Sequence, residues 1–181
     1  SVVGDSTFYH SVTPALINAR YNDSRLLLVV LDNSTTAMTG HQPHPGTGRS
    51  ATGEPAPPLP IEAVARALGL AVEIQDPLRT SDTVESVYRL LQTEGAKVLI
   101  LRSPCALLPW VKRTHRAMVD PERCIGEACG CARLCNRVFS CPALVWDRAG
   151  GRARVDEVLC AGCGVCVDLC PRDAIRLEEV A

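Results

Sequence analysis

Hydrophobic positions in the first hundred residues fall into short unbroken runs separated by stretches of helical spacing. Arg25–Leu31 is an aliphatic run bounded by polar residues, the pattern of a strand buried on both faces of a parallel sheet. Val2-Val3 ends a similar strand that runs into a glycine-containing turn, Gly4-Asp5-Ser6. Thr13-Pro14 predicts a helix start, because Thr caps well and Pro suits the first turn. Ala15, Leu16, Ile17 and Ala19 give that helix an apolar face, and Asn22-Asp23 ends it. Pro60 opens another helix, with Ile61, Val64, Ala65 and Leu68 on one face and Gly69 as its stop. Ala71–Gln75 and Lys97–Leu101 read as further strands. Between them Asp82 and Glu85 form a capping box, and the helix that follows is expected to bury Val84, Val87, Tyr88 and Leu91. Strands alternating with helices predict an α/β domain with a parallel sheet.

Two stretches break the pattern. Residues 34–60 are rich in Gly, Pro, Ser, Thr and His without periodicity, and a loop of that length in a compact domain is usually functional. From Pro121 onward Cys, Gly and Arg rise and regular periods are short. The boundary is placed near residues 112–122, giving a first domain over 1–115 and a small α+β domain over 116–181. Within the latter, 124–142 and 160–171 form an approximate repeat, each ending in Cys-Pro.

Composition narrows the class. The 181 residues are 46% hydrophobic, carry a formal net charge of −1 and have a pI near 6.4, enough for a buried core and without the basic patch that nucleic acid needs. The longest aliphatic run is far below the ~20 residues of a membrane helix, and no signal peptide leads the chain. Neither nucleic acid nor membrane is therefore expected as a partner. The chain opens Ser-Val-Val, as if inside a strand, and is expected to be a fragment or a split subunit.

Nine of the ten cysteines lie between Cys124 and Cys170. Disulfide scaffolds spread cysteines along a small secreted chain, and zinc ribbons use two separated Cys pairs. Here Cys160, Cys163, Cys166, Cys170 and Pro171 instead give C-x2-C-x2-C-x3-C-P, the spacing that wraps a [4Fe-4S] cube, and a reducing cytoplasm is the expected compartment. Because the fourth cysteine of each such motif ligates the other cube, Cys160, Cys163 and Cys166 are assigned with Cys141. Cys170 is assigned with Cys124, Cys135 and one residue of the pair Cys131 and Cys129. Cys131 is favoured because its gap to Cys135 is nearer the usual two residues. The irregular gaps also leave open an altered or absent first cube. Cys105, outside the block, reads as a small buried hydrophobe, and His115 as a solvated junction residue.

Asp5 and Asn33 follow two strands about thirty residues apart, so both reach the carboxyl edge of a parallel sheet, where ligands gather. With a backbone carbonyl near Thr35 they offer oxygen ligands to a Mg²⁺ that bridges a diphosphate. A strand-end Asp is otherwise a turn former or cap. His10, His41 and His44 are the candidates for direct chemistry, set against the plainer reading of polar loop residues.

Gly4-Asp5-Ser6-Thr7-Phe8 together with Leu31–Gly46, the run LDNSTTAMTGHQPHPG, resembles the alpha subunit of indolepyruvate:ferredoxin oxidoreductases, within the thiamine diphosphate-dependent 2-oxoacid:ferredoxin oxidoreductase family. The resemblance covers nearly the whole chain. It implies the C-terminal part of a thiamine diphosphate-binding domain followed by a two-cluster ferredoxin domain. Ser6 stands where thiamine enzymes in general have Gly. The resemblance places cofactor contacts at Gly4, Asp5, Ser6, Asn33, Thr35, Thr36, Ala37 and Met38, and Mg²⁺ on Asp5, Asn33 and the Thr35 carbonyl. It implies oxidative decarboxylation of aryl pyruvates to acyl-coenzyme A, a beta subunit and an external ferredoxin as acceptor. Thiamine enzymes activate the cofactor with a glutamate from a separate domain, so the chain alone is expected to be inactive. The alternatives are a stand-alone electron-transfer protein and an oxidoreductase of other specificity, such as pyruvate.

Overall fold

The computed structural model describes residues 1–180; Ala181, the last residue of the expected second domain, lies outside the described residues. The chain forms two compact units, Ser1–Leu108 and the residues from Pro109 onward. The division thus falls earlier than 115/116, because His115, half-buried rather than solvated, opens a strand of the second unit.

The first unit is built on four parallel strands, β1 (Val2–Gly4), β2 (Leu26–Asp32), β3 (Ala71–Gln75) and β4 (Ala96–Arg102), in the order β1-β2-β4-β3. Along β2 and β4, alternate residues go to opposite faces. Leu28 and Val30 of β2 join Val98 and Ile100 of β4 in a core with Phe8, Leu16, Ile61 and Ala65. Phe8 comes from the turn between α1 (Asp5–Thr7) and α2 (Thr13–Tyr21), Leu16 from α2, and Ile61 and Ala65 from α3 (Ile61–Ala67). Among the described residues no helix is long and apolar enough to cross a membrane.

Two expectations need correction. Helical structure begins at Asp5, not at Thr13: α1 continues through a π-helical turn, Phe8–Val12, into α2. Gly4 in extended conformation serves as the cap. The wide turn precedes Pro14, which has no N–H to give a regular ladder, and the Thr13 hydroxyl donates to the Phe8 carbonyl at 3.2 Å. The second correction concerns α4 (Thr80–Gln92), which starts before the capping box at Asp82 and buries Ser86 and Leu90. Val84, Tyr88 and Leu91 are 50%, 68% and 47% exposed. The strands beneath α4 carry charged groups. The Ser86 hydroxyl donates to Glu73 at 3.1 Å and accepts from Gln75 at 3.0 Å, while the buried Lys97 donates to the Thr93 and Gly95 carbonyls beyond the helix end. Satisfying Glu73 and Gln75 through Ser86 turns the helix away from its apolar stripe.

The second unit holds two antiparallel pairs, β5 (His115–Val119) with β8 (Ile175–Glu179) and β6 (Leu144–Asp147) with β7 (Arg152–Val155), and a short α5 (Val165–Asp168). Its core is small: Ala117, Ala143, Leu144, Cys160, Cys166 and Ile175. The sequence repeat is also a repeat of geometry. The Asp120 carboxylate accepts the amides of Glu122 and Arg123, and its carbonyl that of Cys124. Asp156 does the same for Val158, Leu159 and Cys160. Each turn then needs a glycine, because a Cβ on Gly126 or Gly162, both at positive φ, would lie about 2 Å from the carbonyl oxygen of Gly151 or His115.

Candidate functional site

Asp5 follows β1, opens α1 and is 4% exposed. Its Oδ1 accepts the Ser6 amide at 2.7 Å and its Oδ2 the Asn33 amide at 3.1 Å, so one carboxylate ties the first two strand ends together. Asn33 Oδ1 accepts the amide of the buried Thr35 at 3.2 Å, and Asp32 Oδ1 that of Ser34, whose φ of 64° lies in the left-handed region. This tight turn aims the loop along the carboxyl edge. Beyond β4, Ser103 and Cys105 continue the pairing through amides to the Asp32 and Asn33 carbonyls. Cys105 is therefore a half-buried edge residue, not a core hydrophobe.

Of the three candidate histidines only His44 reaches Asp5; His10 and His41 are exposed. His44 is buried and stacked on Tyr9, with ring centroids 5.5 Å apart. Its Nδ1 accepts the Gly46 amide at 3.2 Å, which leaves the proton on Nε2. That nitrogen lies 3.1 Å from Asp5 Oδ2 but is not aligned for a good hydrogen bond and has no other partner. Burial pushes the Asp5 carboxyl up, but His44 and the Ser6 and Asn33 amides outweigh it and hold the group below the usual carboxylate range. Asp5 and Asn33, joined through the Asn33 amide, carry at one edge the hard oxygen donors that Mg²⁺ takes. Thiamine diphosphate with its cation therefore fits the residues present.

The same edge contains groups that the sequence pattern did not single out. Arg102 donates from Nε to Asp32 at 2.7 Å and forks onto Glu62, with contacts of 2.6 and 3.3 Å. Tyr9 donates its hydroxyl to the Leu59 carbonyl. Burial and the nearby carboxylates of Asp32, Glu62 and Asp5 push that phenol up to about 12, so it remains a neutral donor. Tyr9, Asp32, Ser34, His44, Glu62 and Arg102 line one polar cleft. Of the remaining expected contacts, Gly4 and Ser6 flank Asp5, and Thr36 donates its amide to the Gln42 carbonyl. Ala37 and Met38 lie on a 3₁₀ turn, with Met38 fully exposed.

In the second unit the cysteines line two cavities, Cys124, Cys129, Cys131, Cys135 and Cys170 around one, and Cys141, Cys160, Cys163 and Cys166 around the other. Burial pushes the Cys135 thiol up, and the proximity of Cys131, Cys170 and Cys124 adds to it. Burial and then Cys163, Cys141 and Cys160 push Cys166 up to about 12. Thiolates crowded this way repel one another unless cations lie between them. Among the described residues, no three His, Cys, Asp or Glu side chains converge tightly enough to hold a single metal ion. Sulfurs set around a cavity suit a polynuclear cluster instead, so both donor sets fit iron–sulfur cubes. Cys129 borders the first cavity and its thiol contacts Cys131. Burial raises both, but the amides of Arg133 and Leu134 and the Cys129 thiol bring Cys131 down on balance, while Cys129 stays raised. The repeated Asp120 and Asp156 turns are a signal the cysteine spacing alone missed: an Asp four residues ahead of the first cysteine in each half.

Comparison with known proteins agrees with these two units. Residues 1–101 match the family described as "Thiamine pyrophosphate enzyme, C-terminal TPP binding domain", and residues 153–176 match "4Fe-4S binding domain". The chain is 42% identical over 177 residues to "Indolepyruvate oxidoreductase subunit IorA" of Archaeoglobus fulgidus, covering 97% of this chain and 28% of that protein. It is 43% identical over 178 residues to the protein of the same name from Thermococcus kodakarensis, covering 97% of this chain and 27% of the relative. The chain thus spans little more than a quarter of these relatives. A "Ferredoxin" of Methanothermococcus thermolithotrophicus is 37% identical over 62 residues, 34% of this chain and 95% of that protein. By these matches the chain belongs to the thiamine pyrophosphate enzymes, through their C-terminal TPP binding domain, and carries a ferredoxin-type 4Fe-4S domain beside it.

Proposed function

We propose that the chain is the part of a 2-oxoacid:ferredoxin oxidoreductase that holds thiamine diphosphate and sends its electrons onward, with indolepyruvate and related aryl pyruvates as substrates. One observation carries this reading: the Asp5–Asn33 edge and two cavities ringed by cysteines occur on a single chain. Asp5, Asn33 and the Thr35 carbonyl would hold Mg²⁺, and the turn after Asn33 would cover the diphosphate. Cys124, Cys131, Cys135 and Cys170 would hold one [4Fe-4S] cube, and Cys141, Cys160, Cys163 and Cys166 the other. When bound, these groups supply the nucleophile and electron sink for decarboxylating a 2-oxoacid and the one-electron carriers that drain it. The chain contributes position. Asp5 keeps its charge at neutral pH and fixes the first two strand ends, and His44 sets its Nε2 against Asp5 from the loop side. Tyr9 backs the His44 ring as a neutral phenol. The relatives' names support indolepyruvate as substrate and a partner subunit. In this reading coenzyme A would take the acyl group and an external ferredoxin the electrons.

Calorimetry on the full chain with Mg²⁺ and thiamine diphosphate tests the first unit. Binding is expected, weakened about tenfold or more in Asp5→Ala; equal binding by both proteins would refute the assignment. With the partner subunit, ferredoxin reduction should show a higher kcat/KM for indolepyruvate than for pyruvate, and the reverse order would overturn the substrate reading.

A further inference from the structure

The two cysteine cavities differ in their surroundings. The one bearing Cys141, Cys160, Cys163 and Cys166 is walled by Phe139, Pro142, Leu144, Val155 and Leu159, and no charged side chain lines it. The one bearing Cys124, Cys131, Cys135 and Cys170 is lined by Arg123, Arg133 and Arg172 and by no acid. Arg133 and Arg148 also border the adjoining cleft beside Trp146, where Arg133 stacks 4.1 Å from the indole. Arg148 and Arg172 are exposed and form no ion pair among the described residues. Glu127, the acid of that cleft, is tied to Arg133. Ile125, next to Cys124, adds exposed apolar surface.

The sulfurs do not differ in this way: one in each set accepts a backbone amide, Cys170 from Ala174 and Cys160 from Ala117, both at 3.3 Å. The arginines are what set the two cavities apart, and positive charge stabilises the added electron of a reduced cluster, which raises its potential. A positive rim also steers and orients a negatively charged partner.

Building on the two-cluster reading above, we infer that electrons leave this chain through the Cys124, Cys131, Cys135 and Cys170 cube, to an acidic one-electron redox protein that docks on the rim of Arg133, Arg148 and Arg172. The step is a single electron passing from the reduced cube to the oxidised centre of the partner, with no bond made or broken and no proton moved. The apolar-walled cube is the lower-potential donor to it.

The full chain, loaded to about eight irons and reduced with dithionite, is mixed in a stopped-flow instrument with rubredoxin, an acidic acceptor, or cytochrome c, a basic one. In R148E/R172E the rate to rubredoxin at low salt should fall about tenfold or more and the rate to cytochrome c should rise. R148Q/R172Q should give smaller changes of the same signs. Val158→Glu, beside the other cube, should leave the rubredoxin rate within about twofold. In an EPR-monitored redox titration the charge reversal should lower the potential of the higher-potential cube. Rates to both acceptors that change alike, a rubredoxin loss in V158E instead, or a shift confined to the lower-potential cube would each overturn the inference. A chain that loads only about four irons removes the two-cluster reading along with it. Full iron with unchanged rates removes this inference alone.

Discussion

Arg102 joins residues that lie 40 and 70 positions away, Glu62 through a forked contact and Asp32 through Nε. The Arg102 guanidinium holds the Glu62 carboxyl below the usual range despite partial burial. A depressed carboxylate stabilises the fold above its unfolded pKa, and that contribution is lost as pH falls through the folded one. Glu62→Gln should therefore cost about 1 kcal/mol at pH 7, since the pair is bidentate but partly solvated. The difference from the parent should shrink below about pH 4, as read by urea unfolding at a series of pH values; a difference that grows on acidification would contradict the assignment. Such pairs leave no mark in local spacing. Asp5 and Asn33 were legible because each ends an aliphatic run, and run ends in parallel sheets share an edge. Tyr9, Glu62 and Arg102 reach that edge only once the topology is known. His10, His41 and His44 looked equivalent in the sequence, and burial alone separates the third from the others.

At the scale of elements, aliphatic runs located β2 and the central β4, whose middle is buried on both faces, while β3 was legible as a short strand between polar turns although none of its residues is buried. The helices were less legible. Thr13-Pro14 carries the chemistry of a helix start, yet it continues a helical run from Asp5, since a π-helical turn accommodates the proline. The apolar stripe of α4 was taken for its buried face, but Glu73 on the strand beneath it calls for a polar partner, and Ser86 faces inward with Leu90 instead. Stability should follow the structure here. Leu90→Ala should destabilise by about 3 kcal/mol, and Tyr88→Ala by no more than about 0.5 kcal/mol, measured as denaturation midpoints of the same chain. A larger loss at Tyr88 than at Leu90 would restore the orientation expected from the stripe.

For the whole molecule, the composition shift after Pro121 signalled a second unit, while the compact units divide between Leu108 and Pro109, ahead of β5. The two units rest on different kinds of core. The first buries Leu28, Val30, Val98 and Ile100 of its sheet against Phe8, Leu16, Ile61 and Ala65, a core that owes nothing to metal. In the second, Cys160 and Cys166 are two of six core residues, and the others include two alanines. A unit of that size rarely folds on apolar burial alone, and crowded thiols held together without cations work against the fold. Cluster binding is then folding free energy for this unit. Amide hydrogen exchange on the chain with and without iron should show this selectively. Stripping the iron should remove protection from β5–β8 and β6–β7 while leaving β2 and β4 protected near the parent level. If the second unit keeps its protection without iron, its fold stands on Ala117, Ala143, Leu144 and Ile175, and the cysteines are held in place by the protein before any cluster enters.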